Sequence, residues 1–133
     1  MSHLLVSNED PVDLDGYIDG SNALQIKHDS DNLVDYDQEI WCEHDSSSSI
    51  TVRIHDFVVG ATTWQVSAEH NRTSWTRESD HVWFTFTQEP SSAHVVEVGA
   101  SAPGHSPKQR TLLVKPQPTQ PSLLLQPPAE QTL

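Results

Sequence analysis

ITVRIHDFVVGATTWQVSA, residues 50–68, decides how this chain folds. Its first six residues alternate Ile50, Val52 and Ile54 with Thr51, Arg53 and His55. One face is apolar and the other polar, which is the two-residue period of a half-buried antiparallel strand. TWQVSA at 63–68 repeats the pattern with Trp64, Val66 and Ala68 inward, and FVVGAT between the two supplies the turn.

Working outward, HVWFTFT at 81–87 sets Val82, Phe84 and Phe86 on one face and Trp83 on the other. AHVVEVGA at 93–100 offers Val96, Val98 and Ala100 to one side. RTLLV at 110–114 offers either Leu112 with Val114 or Thr111 with Leu113. A closing hairpin is expected between these last two runs: Gly104 relieves the turn, Pro107 discourages early pairing, and Pro116 ends the last strand. Upstream, ALQIKH and EIWCE read as further strands, with Leu24 and Ile26 on one face and Ile40 and Cys42 on another. HDSSSS, EHNRTSWTRESD and QEPSSA read as turns. No segment carries a sustained 3.6-residue apolar stripe, so the fold class is all-β, an antiparallel sandwich with extended N- and C-terminal segments.

The stretch from Ile50 to Val114 resembles the immunoglobulin-like β-sandwich modules of bacteria, archaea and viruses, including repeats of the polycystic-kidney-disease type. TTWQV supplies the core Trp, VWFTFTQEPSSAHVVEVGASA the aromatic strand, proline turn and valine-rich strand, and APGHSPKQRTLLV the last hairpin. Trp64 to Glu69 reads W-Q-V-S-A-E where the polycystic-kidney-disease type has W-x-F-G-D-G. The resemblance therefore rests on alternation, the buried Trp and turn placement. It implies an immunoglobulin-like sandwich, set over 33–116; composition adds an acidic segment over 1–32 with one candidate strand before it and a proline-rich arm over 117–133 after it. That arm holds four prolines, with Leu123, Leu124 and Leu125 as its apolar anchor.

The net charge is −12, and residues 1–50 hold twelve Asp/Glu against the single Lys27. Such a surface repels phosphate backbones, so nucleic acid is not an expected partner, and it suits a protein hydrated in high salt. One cysteine, Cys42, excludes an intrachain disulfide. Neither a signal peptide nor an apolar run of membrane-spanning length is visible, and membrane insertion is not expected. Without an export route the sequon at Asn71 carries little weight.

DPVDLDGYIDGSN at 10–22 has the acid density of a calcium loop. With Gly16 at position six, Pro11 falls at position one and Asn22 at twelve; with Gly20 at six, Tyr17 falls at three and Ile26 at twelve. Neither register supplies the EF-hand ligands. A solvated acidic loop is the favoured reading, and a Ca2+ or other cation held by Asp13, Asp15 and Asp19 is the alternative. The eight histidines show no His-x-His or His-x3-His pair and read as surface decoration. No nucleophile elbow or phosphate loop points to an enzyme.

Trp41, Trp75 and Trp83 fall on outward faces or in a turn and mark a protein interface, together with the leucines of the arm. A sugar platform is the competing use, and the sequence groups no polar side chains around these rings to fix hydroxyls. The expectation is a non-enzymatic structural protein acting in a homo- or hetero-oligomeric assembly, with a virus or phage particle as its location. A cell-surface adhesive or carbohydrate-binding module and a calcium-dependent sandwich are the alternatives.

Overall fold

A computed structural model describes residues 4–7, 11–28, 39–44, 49–86 and 93–118. Among them lie twelve strands: β1 (Leu4–Ser7), β2 (Val12–Ile18), β3 (Leu24–His28), β4 (Glu39–His44), β5 (Ile50–His55), β6 (Phe57–Val59), β7 (Thr62–His70), β8 (Thr73–Ser74), β9 (Thr76–Arg77), β10 (His81–Phe86), β11 (His94–Ser101) and β12 (Lys108–Pro118). One sheet runs β1-β4-β12-β11-β7-β6, with β8 beside β7, and the other runs β3-β2-β5-β10-β9. Their apolar faces pack together, with Val12, Leu14, Val52 and Ile54 of one sheet and Val66, Val96, Val98 and Leu112 of the other almost wholly buried. The protein is an all-β, two-sheet sandwich.

Most pairings are antiparallel, but β1 with β4, β12 with β4 and β2 with β5 are parallel. The inward sets read from alternation hold for Trp64, Val66 and Ala68, and the choice in the last strand falls on Leu112 and Val114. Phe57 stacks on Trp64 with ring centroids 6.0 Å apart, and His105 lies 5.1 Å from the same indole. Phe84 is only partly buried, packed against the core rather than inside it.

Three expectations are corrected. The acidic segment contributes more than one strand: β2 lies between β3 and β5 and carries part of the core. The period of two is present in VDLDGYI, with Val12, Leu14 and Gly16 inward, but the poor strand propensity of Asp obscures it. Second, β12 passes Pro116 and stays in register with β4 through Pro118. Its pairing with β11 ends at His94↔Val114. Among the described residues β12 pairs beyond that point with β4 alone, and a strand bonded on one side tolerates prolines at alternate positions. Third, the stretch after β7 holds the expected turn, a two-residue hairpin loop at Asn71 and Arg72, both with positive φ, but also carries the short strands β8 and β9.

Gly16, which looked like a calcium-loop glycine, has a packing role. A Cβ on it would stand 3.0 Å from the ring of Phe57, so the absent side chain makes room for that ring against β2.

Candidate functional site

Alternation directs one set of β2, β5 and β10 side chains away from the core, and register brings them together. Asp13 lies opposite Arg53, Asp15 opposite His55, Arg53 opposite Trp83, and His55 opposite His81. The outer face of the five-stranded sheet is therefore a band of charge and aromatic rings. Arg53 donates from Nε to Asp13 Oδ1 at 2.7 Å and from Nη2 to Oδ2 at 3.0 Å, a bidentate pair. His55 Nε2 lies 3.1 Å from Asp13 Oδ1. The Arg53 bond holds the Asp13 carboxyl below its usual range, with burial opposing it and His55 assisting.

At the end of this ladder the rings of His55 and His81 approach to 5.2 Å. Asp80 Oδ1 lies 2.8 Å from His81 Nδ1, and that contact lowers the Asp80 pKa. The Asp80 backbone is fixed beside β5, since its carbonyl accepts from Asp56 N at 2.9 Å. One ligand atom from each of His55, Asp80 and His81 lies within 4.8 Å of the others. Sequence spacing gave no sign of this cluster, because His55 and His81 belong to strands that only the β5–β10 register makes adjacent.

Beside it, Trp83 is half-buried and donates from Nε1 to Glu78 Oε2 at 2.8 Å. A shallow groove of about 380 Å3 is lined by Pro11, Thr51, Arg53, His81 and Trp83. Thr51 and Thr85 share a hydroxyl bond of 2.7 Å on the same face. Polar side chains thus do group around this tryptophan, contrary to the expectation from the sequence.

The acids singled out for a cation take separate roles. Asp13 is engaged by Arg53 and His55. Asp19 closes the β2–β3 loop: Oδ1 accepts from Ser21 N at 2.9 Å, Ser21 Oγ at 2.8 Å and Ala23 N at 3.0 Å, while Oδ2 accepts from Gln25 Nε2 at 2.9 Å. These bonds, led by that from Ala23, keep its pKa far below the usual carboxylate range. Asp15 stays with Asp13 on the outer face of β2, opposite Lys27. A cation bridging Asp13 and Asp19 would have to displace both sets of donors.

Trp75 is the clearest displacement. Expected in an exposed turn, it is 5% exposed, stacked on Phe84 at 6.0 Å and edge-on to Phe86. Its backbone N–H donates to Ala68 O at 2.9 Å, which folds the 73–77 segment onto β7 and turns the indole inward. The side chains of Trp41 and Cys42, and residues Leu123, Leu124 and Leu125, lie outside the described residues.

Comparisons of the chain with family models, curated proteins and solved structures find no match. The class that the fold defines is the two-sheet β-sandwich. Among the described residues no helix is long and apolar enough to cross a membrane.

Proposed function

We propose that the chain is a non-enzymatic structural module of immunoglobulin-like type that works through protein–protein contacts, as a building or decorating unit of a virus or phage particle. The observation that carries this reading is the β6 edge: Val58 and Val59 are 63% and 45% exposed on the last strand of the larger sheet. Solvent-facing valines on an edge strand suit a second protein surface or an added strand. The polar groups nearest to chemistry also support the reading, since Asp13, Asp19 and Asp56 all hold structural bonds. In this reading the sandwich is the rigid body, the arm after Pro118 adds contacts through Leu123–Leu125, and the net charge of −12 keeps assembled copies soluble, in high salt as well.

Light scattering coupled to size exclusion tests it, on the full chain, on Val58→Glu with Val59→Glu, and on a truncation after Pro118. Association of the full chain with itself or with particle proteins, weakened by either change, is the expected result. A full chain that stays monomeric, alone and with those proteins, overturns it.

A second reading is favoured by the groove at Trp83. An indole flanked by Thr51, Arg53 and Glu78 suits a sugar ring stacked on the aromatic face with hydroxyls held by its neighbours. Glycan binding lost in Trp83→Ala, with the fold retained, would select this reading over the first.

A further inference from the structure

We infer that His55, Asp80 and His81 form a binding site for a divalent transition cation, with Zn2+ the ion their chemistry fits best. The donor set is two imidazoles and one carboxylate, drawn from the end of β5 and the start of β10. Imidazole nitrogens select Zn2+ and its neighbours in the transition series, whereas Ca2+ and Mg2+ require oxygen donors throughout. The ligand atoms already lie within 4.8 Å of one another. Tetrahedral Zn2+, with bonds of about 2.0–2.2 Å, draws such atoms to roughly 3.3 Å. The Asp80 side chain is 72% exposed, and its Oδ1 already lies 2.8 Å from His81 Nδ1.

The surroundings favour the assignment. Asp13 Oδ1 lies 3.1 Å from His55 Nε2, so a His55 that ligates through Nδ1 keeps its Nε2–H donating to a carboxylate. This is the carboxylate–histidine–metal arrangement that orients a ligating ring and raises its basicity. The two cations nearby are neutralised, Arg53 by Asp13 and Arg77 by Asp56. Three ligands from this chain leave a fourth position for water. The site does not depend on the assembly reading, because every donor comes from one chain.

Calorimetric titration of the full chain with ZnCl2 tests the inference. Binding of one Zn2+ per chain is expected, with affinity reduced about 100-fold or more in His55→Gln with His81→Gln, and unchanged in the control His28→Gln with His105→Gln. CaCl2 in the same cell should give no heat at this site. Because the double variant could disturb β5–β10 pairing, a second measurement uses the unaltered chain: Co2+ should broaden the ring resonances of His55 and His81 first. Unchanged affinity in the double variant, preferential broadening of His70, His94 or other histidines, or binding of Ca2+ in place of Zn2+ would overturn it.

Discussion

His94 Nδ1 and His70 Nε2 lie 2.9 Å apart, a hydrogen bond between two imidazoles enclosed by Phe84 and Phe86. His70 is 7% exposed and its register partner is Val96, so the pair faces the core from the end of β7. Burial lowers the pKa of both rings, and for His94 the neighbouring His70 adds to the effect. The fold thus holds the neutral forms.

The consequence for pH follows from linkage. Both folded pKa values lie below the unfolded value of about 6.5, so the stability they contribute is present above that pH and is lost as pH falls through the folded values. The unfolding free energy from urea titration should therefore decline from pH 7 to pH 5. His70→Leu with His94→Leu should flatten that decline. A wild-type profile level across this window would show that the pair does not govern acid sensitivity.

Asp56 and Arg77 close an open stretch of the β7 edge. Val66 N donates to Asp56 Oδ1 at 2.9 Å, Val66 O accepts from Arg77 Nη1 at 2.9 Å, and the guanidinium and carboxylate bind each other. Between the short pairings with β6 and β8, this ion pair does what a neighbouring strand would do, and it blocks edge-to-edge pairing there. Asp56→Ala should cost about 1–3 kcal/mol, since it leaves a backbone donor and a guanidinium without their acceptor. Faster exchange of the Val66 amide, with that of Val98 unaffected, is the local signature to measure.

Trp75 offers a test of burial against interface. Trp75→Ala should cost about 3–5 kcal/mol in urea unfolding, as expected for an emptied aromatic site. Trp75→Phe should cost much less, because Nε1 is buried with no hydrogen-bond partner among the described residues and its removal relieves that penalty. Equal losses for both substitutions would mean that the indole nitrogen is not an orphan in solution.

How much was legible in the sequence varied with the local signal. ITVRIH, TWQVSA and AHVVEVGA alternate cleanly, so their inner faces could be read directly and recur as buried residues. VDLDGYI alternates as well, but its aspartates and glycine have the composition of a turn, and only pairing with β3 and β5 makes it a strand. Trp75 sat among polar residues with nothing local to turn it inward; a hydrogen bond to Ala68 did so.

The sequence by itself determined the all-β class and the inward faces of β5, β7 and β11, because side-chain alternation is a local property of the strand. Tertiary structure alone decided which residues of different strands meet. Asp13 with Arg53, His55 with His81 and His70 with His94 are products of strand order and register, and register is set by burying one face of each sheet against the other. That long-range condition has no short-range sequence signature, which is why the histidine–aspartate cluster emerged only in three dimensions.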